Sequence, residues 1–196
     1  MFEKVGIETT FVGHPLANKI PLKLNMFKYR KMFNLGRKEL VIALLPGSRV
    51  GELKAHTDTL LETAQNLLEV HPDAKFLIPA TNDNNMHFIK SRIRNNPTKN
   101  LKLIKGKVDE ILNSANIAIA ASGTASLQIA LHKKPMIIIY KGSWISYFIW
   151  KMVRLIPNVS LPNILLNENF VPEMLQHRAT PNLLSEKACE IIKDKK

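Results

Sequence analysis

The chain has 196 residues, enough for one domain with a substantial core, and its 45% hydrophobic and 22% charged residues exclude a disordered or low-complexity chain. Lys and Arg, 28 together, outnumber the 16 Asp and Glu, and the resulting net charge of +12 favours an anionic partner: nucleic acid, acidic lipid or a phosphorylated small molecule. The lone Cys189, among Ala188, Ile191 and Ile192, excludes an internal disulfide framework and a Cys-rich zinc site and fits a reducing cytoplasm.

Residues 1–38 differ from the rest. Phe11-Val12-Gly13-His14-Pro15 reads as a short strand leading into the domain, and the basic stretch ending at Gly36 reads as a linker. From Glu39 onward, short apolar runs alternate with helical patterns, the signature of βαβ units and a parallel sheet. Five strands are predicted, at Leu40–Leu45, Phe76–Pro79, Leu101–Ile104, Ile117–Ala120 and Met136–Tyr140. Helices are predicted at Glu52–Val70, with Leu53, Leu60, Ala64, Leu67 and Leu68 on one stripe, then at Asn84–Arg94, at Asp109–Ser114 with Asp109 as its cap, and at Thr124–His132. A helical pattern at Ser143–Leu155, a loop rich in Pro and Asn, and closing helices at Val171–Gln176 and Pro181–Lys193 complete the chain. The expected fold class is α/β: a Rossmann-like parallel sheet with helices on both faces, for which 3-2-1-4-5 is the common strand order and the one assumed for this chain. The domain limits that follow are 39–180 for the α/β domain and 181–196 for a C-terminal helix with a basic tail. No internal repeat is apparent.

Met1-Phe2-Glu3-Lys4 does not open a signal peptide, and the apolar region Trp144–Ile156 is too short to span a bilayer and contains Lys151 and Arg154. Its spacing suits core packing or contact with a bilayer interface. Nucleic acid is not expected, because no binding motif or aromatic stacking platform accompanies the charge.

Parallel α/β sheets bind ligands at the carboxyl ends of their strands, where strand order reverses. In the predicted order, Pro46-Gly47-Ser48-Arg49 after the first strand faces Ala121-Ser122-Gly123-Thr124 after the fourth. Gly47 lets the backbone approach an anion, the following helix supplies free N–H groups, and Arg49 can chelate phosphate oxygens or simply pair with Glu52. Ser122 and Thr124 can cap the next helix or bind ligand, and Gly123 permits close approach. Gln128, one turn further, either reaches a ligand or belongs to a solvated helix face. Asn163 in Leu161-Pro162-Asn163 either caps structure or binds, and His14 fits a fixed turn better than catalysis. Neither turn is a Walker A loop or a GxGxxG fingerprint, so ATP hydrolysis and ordinary dinucleotide binding are not supported. His56, His71, His87, His132 and His177 lack metal-ligand spacing, and no metal site is proposed.

Five elements in order, Phe11-Val12-Gly13-His14-Pro15-Leu16, Leu44-Leu45-Pro46-Gly47-Ser48-Arg49 with Glu52, Ala121-Ser122-Gly123-Thr124-Ala125, Val159-Ser160-Leu161-Pro162-Asn163 and Val171-Pro172-Glu173-Met174-Leu175-Gln176, resemble lipid-A-disaccharide synthase. Each motif alone is weak; the series over nearly the whole chain is specific. That family has a two-domain GT-B glycosyltransferase fold. It transfers 2,3-diacylglucosamine from UDP to 2,3-diacylglucosamine 1-phosphate in lipid A biosynthesis at the cytoplasmic membrane face.

The resemblance covers the family's C-terminal, donor-binding half. It implies that Gly47, Ser48 and Arg49 contact the diphosphate of UDP-2,3-diacylglucosamine, that Ser122, Gly123 and Thr124 line the opposite wall, and that Asn163 completes the pocket. Gln128 stands where the family usually has Glu, and its carbonyl can still accept from ribose hydroxyls. The base and the acceptor surface fall to an N-terminal domain or separate half, so no catalytic residue is named, no cofactor is expected, and this chain alone should bind UDP weakly without turnover. An anionic membrane surface and a homodimer stay open as partners, with a cytoplasmic location open to peripheral attachment. The rival readings are another GT-B UDP-sugar enzyme, an epimerase or transferase, and a non-catalytic remnant serving as a binding module.

Overall fold

The computed structural model describes residues 25–142 and 158–194, with residues 10, 16 and 20. The strand expected at Phe11–Pro15 and the helix expected at Ser143–Leu155 lie outside the described residues.

Strands β1 (Val41–Leu45), β2 (Lys75–Ala80), β3 (Leu101–Lys105), β4 (Ile117–Ala121), β5 (Met136–Tyr140) and β6 (Glu173–Leu175) form one sheet in the order β3-β2-β1-β4-β5-β6, every pairing parallel. Central strands β1 and β4 are buried at every position, as a sheet covered on both faces requires. Their residues alternate between two cores. Ile42 and Leu44 pack with α2 (Val50–Val70), α3 (Asp83–Asn95) and α7 (Pro181–Lys193), whereas Val41, Ala43 and Leu45 pack with α4 (Val108–Ser114), α5 (Thr124–Leu131) and with Phe33 and Leu35, which follow α1 (Met26–Met32). Edge strand β3, Leu-Lys-Leu-Ile-Lys, is only partly covered, and its lysines suit an unpaired edge.

Two sequence expectations change. The predicted helix at Val171–Gln176 is instead strand β6, which adds to β5 in the register Ile138↔Glu173, Ile139↔Met174 and Tyr140↔Leu175. Pro172, which cannot donate to a ladder, sits just before it and accepts from Ile138 N at 2.9 Å. The stretch read as a linker holds α1, and the guanidinium of buried Arg30 donates to the carbonyls of Ser114, Gly36 and Arg37 and to Asn116 Oδ1 at 2.6–3.1 Å. These bonds tie residues 30–37 to the end of α4 and the loop before β4. Across the expected limit at 180, Leu184 and Ala188 of α7 are buried against α2.

Two local readings also shift. Leu161-Pro162-Asn163 is the start of a short helix, α6 (Leu161–Leu166), with Pro162 in its first turn, where a missing N–H costs nothing. The cap before α4 is Lys107 at φ 53°, and Asp109 lies in the first turn of that helix instead.

Candidate functional site

In the observed strand order β1 and β4 are neighbours paired as Leu45↔Ala120, and the chain leaves them toward opposite edges of the sheet. The loops after them frame a crevice of about 510 Å³ at the strands' carboxyl ends. Gly47, Ser48, Arg49, Ser122, Gly123, Thr124 and Gln128 all line it. Asn163 does not. It is fully buried, donates to Val171 O at 2.8 Å and Glu173 Oε1 at 2.9 Å, and accepts from Val171 N at 2.8 Å.

The first loop is pinned at each turn. His56, one turn beyond Glu52 on the buried face of α2, has its Nδ1 3.1 Å from Pro46 O, while its Nε2 accepts from Lys141 N at 3.0 Å. The second bond requires a lone pair on Nε2, so Nδ1 carries the proton and donates to Pro46. Burial pushes the imidazole pKa below its usual value, opposed by the Pro46 carbonyl and Glu52 and reinforced by Lys141. Buried Asn85 on α3 donates to Ser48 O at 2.9 Å. Glu52 Oε2 accepts from Ser48 N at 2.8 Å and Arg49 N at 3.2 Å, so a carboxylate already occupies these amides at the start of α2.

Gly47 makes this possible: its φ is +108°, and a Cβ there would meet the Glu52 carboxylate and lie 2.5 Å from Glu52 Cβ. Arg49 Nη1 lies 3.3 Å from Glu52 Oε1, but the Arg49 side chain is 87% exposed. An ion pair so open to water is worth about 0–1 kcal/mol, too little to hold the guanidinium away from a ligand.

The second loop is open. Gly123, at φ +149°, caps α5 without any side-chain bond, because Ser122 Oγ turns away to Val159 O at 2.8 Å. Capping by Ser122 or Thr124, one of the two sequence readings, is thus not observed. Among the described residues, no group accepts from the N–H of Gly123, Thr124 or Ala125, and these amides start a helix whose dipole favours an anion. Gln128 lies on the same helix with Nε2 2.6 Å from Asp109 Oδ1.

Beneath this wall, Glu173 ties two motifs together. Its carboxylate accepts from Val159 N, Ser160 N, Ser160 Oγ and Asn163 Nδ2 at 2.7–3.0 Å, and Val159 O in turn holds Ser122. The Leu-Pro-Asn and Pro-Glu elements are therefore one hydrogen-bonded unit supporting the β4–α5 loop.

His56, Asn85 and Asp109 were not singled out from sequence as site residues. For His56 a signal exists: a polar residue on the apolar stripe of a long helix must find partners when buried. Gln176 carries a second such signal. It is buried at φ 49°, accepts from Gly142 N at 3.3 Å through Oε1, and its Nε2 has no partner among the described residues. Another cavity, of about 560 Å³, lies at the amino ends of β5 and β6 beside Met136, Pro162, Leu166 and Phe170; its lining is mainly apolar, with Lys133 and Lys134 at its edge. No group of three His, Cys, Asp or Glu among the described residues is arranged to hold a metal, and no described helix is long and apolar enough to cross a membrane.

The family model described as lipid-A-disaccharide synthetase matches residues 1–196. The lipid-A-disaccharide synthase of Dechloromonas aromatica (strain RCB) is 39% identical over 199 residues, covering 100% of this chain and 52% of the relative. The chain spans about half the length of the curated relatives it matches. Among solved structures, E. coli ADP-heptose lps heptosyltransferase II superposes with a TM-score of 0.60 at 11% identity over 87% of this chain and 52% of that one. The C-terminal CMP-Kdo binding domain of WaaA from Acinetobacter baumannii gives a TM-score of 0.57 at 7% identity, covering 92% of this chain and 91% of that one. At these identities the likeness is one of fold, the Rossmann-like domain of GT-B glycosyltransferases.

Proposed function

The chain belongs to the lipid-A-disaccharide synthetase family, and from that premise we propose that it is the donor-binding half of a glycosyltransferase that moves 2,3-diacylglucosamine from UDP to 2,3-diacylglucosamine 1-phosphate. The observation that carries this reading is the crevice itself, in which open N–H groups at the start of α5 face a glycine turn bearing a solvent-exposed arginine.

In this reading the diphosphate of UDP sits on the amides of Gly123, Thr124 and Ala125, the helix dipole and Arg49 stabilise the charge that develops as UDP departs, and Gln128 accepts from the ribose hydroxyls. Gly47 and Ser48 shape the facing wall, and Ser122 and Asn163 act from behind it. Asn163 fixes Val171 and Glu173, which hold the Val159–Ser160 backbone against Ser122. No described group in the crevice is assigned the role of base. That role, with the acceptor site, is given to an N-terminal domain or separate half, in keeping with the half-length match. Work at the cytoplasmic membrane face suits the net charge of +12.

Calorimetric titration of UDP into the 196-residue chain tests the reading. Wild type should bind, and Arg49→Ala should bind about tenfold or more weakly, as loss of a hydrogen bond to a charged group implies. Equal affinities would remove the phosphate role of Arg49, and absence of binding by the folded wild type would overturn the donor-site reading.

A further inference from the structure

A glutamine amide presents a donor or an acceptor to a ligand according to what holds its other end. Gln128 Nε2 lies 2.6 Å from Asp109 Oδ1. A carboxylate only accepts, so the nitrogen must face α4, and the carbonyl Oε1, which no described group donates to, is left for the crevice that Gln128 lines.

Asp109 is itself held. His132, at the end of α5, donates from Nε2 to the same Oδ1 at 2.8 Å, and its Nδ1 lies 3.3 Å from Oδ1 of buried Asn113. The His132 side chain is 1% exposed and that of Asp109 58%, so the network runs from the interior out to the crevice wall. A ring fixed in the core orients a carboxylate at the surface, and the carboxylate orients the amide. A glutamate at position 128 would set two carboxylates at hydrogen-bonding distance, which like-charge repulsion opposes. Glutamine at 128 and aspartate at 109 are thus a matched pair in this chain.

We propose that Asp109 and His132 are positioning residues that lock the Gln128 amide with its carbonyl toward the crevice, and that this makes the site select a ligand with hydroxyl donors there: the vicinal diol of a ribonucleoside diphosphate. The proposal rests on the UDP reading above. It adds that the discrimination between ribose and deoxyribose, made by the Gln128 carbonyl, is set by Asp109 and His132, which do not line the crevice.

The test compares UDP with 2′-deoxy-UDP by calorimetry on wild type, Asp109→Ala, His132→Ala and the conservative His132→Gln, whose side-chain amide can still donate. Folding is checked by circular dichroism, and the Gln128 side-chain amide protons are followed by NMR. Wild type should prefer UDP by roughly three- to tenfold, the range of one neutral hydrogen bond. Asp109→Ala should bring that ratio close to one with the affinity for 2′-deoxy-UDP unchanged, and should abolish the downfield shift of the Gln128 amide proton that faces the carboxylate. His132→Ala should follow Asp109→Ala, and His132→Gln should restore part of the preference. An unchanged ratio or an unchanged amide shift in Asp109→Ala overturns the proposal, as does an equal fall in both affinities, which marks a merely structural effect. If wild type binds neither nucleotide, the UDP reading falls and takes this with it; if it binds UDP and only the ratio fails to respond, this proposal alone falls.

Discussion

Replacing His56 with alanine probes the framework of the crevice without touching a lining residue. The imidazole satisfies Pro46 O and Lys141 N, two backbone groups that come from different strand ends. Each buried polar group left without a partner costs about 1–3 kcal/mol, and water entering the vacated space returns some of it, so the expected loss is about 3 kcal/mol. At about 2.1 cal/mol/K per residue, the unfolding entropy of a chain of 196 residues is on the order of 0.4 kcal/mol/K, and Tm should fall by about 7 °C. The pH dependence has a defined sign. Burial holds the folded pKa below the unfolded value of about 6.5, so between the two the unfolded chain carries the proton and the folded chain does not. Stability from His56 is complete above pH of about 6.5 and is lost as pH falls toward the folded pKa. Scanning calorimetry at pH 7.5 and 5.5 should show wild type losing more Tm on acidification than His56→Ala, since every other group titrates in both proteins. A drop of less than about 2 °C at pH 7.5, or parallel pH slopes, would refute the bridging role.

Gly47→Ala should destabilise the domain by about 2 kcal/mol in urea, because alanine is strained at φ +108° and its Cβ displaces Glu52; the same change should weaken UDP binding. Arg30→Leu strips donors from three carbonyls and Asn116 and should cost about 3 kcal/mol, with tryptic cleavage within residues 26–38 coming much earlier than in wild type. Cleavage at the wild-type rate would show that α1 is held by something else. Asn163→Ala should lose about 2–4 kcal/mol in the same urea assay, since it leaves Val171 N and O without their partner and takes a donor from Glu173; a loss below about 1 kcal/mol would show that Asn163 does not hold this unit together.

The sheet was legible because its strands are short and apolar and alternate with helices, whereas the order around β1 and β4 rested on the common topology of such sheets and is fixed only by the observed pairing. The loops were legible for the same reason, since Pro46-Gly47 and Ser122-Gly123 directly follow recognisable strands. What escaped were features set by partners distant in sequence. Glu-Met-Leu at β6 has no periodicity of its own and becomes a strand by pairing with β5. The basic composition around Met26–Met32 concealed a helix whose one critical residue, Arg30, is buried on acceptors more than eighty positions away, at Ser114 and Asn116. Asn163 was open in sequence between capping and binding, with the resemblance favouring the pocket, and its amide is spent on Val171 and Glu173. His56 was weighed only for metal spacing, whereas its position on a buried stripe was the informative property.

The two loops that frame the crevice use the same backbone device and differ in what already fills them. At α2, Glu52 covers the amides of Ser48 and Arg49, so an incoming phosphate there must displace a carboxylate held by two backbone bonds. At α5 the first amides have no such occupant among the described residues. An anion therefore gains most by settling on α5, and the remaining cation of the opposite loop then decides the geometry. Arg49 leaves an exposed pair with Glu52 worth at most about 1 kcal/mol for a bond to phosphate worth about 1.5–3 kcal/mol, so the side chain should cross the crevice while Glu52 keeps the α2 turn in place. Binding by this route moves one arginine and leaves the backbone fixed by His56, Asn85 and Glu52 undisturbed. In the UDP reading, this is how a tightly held loop receives a charged ligand.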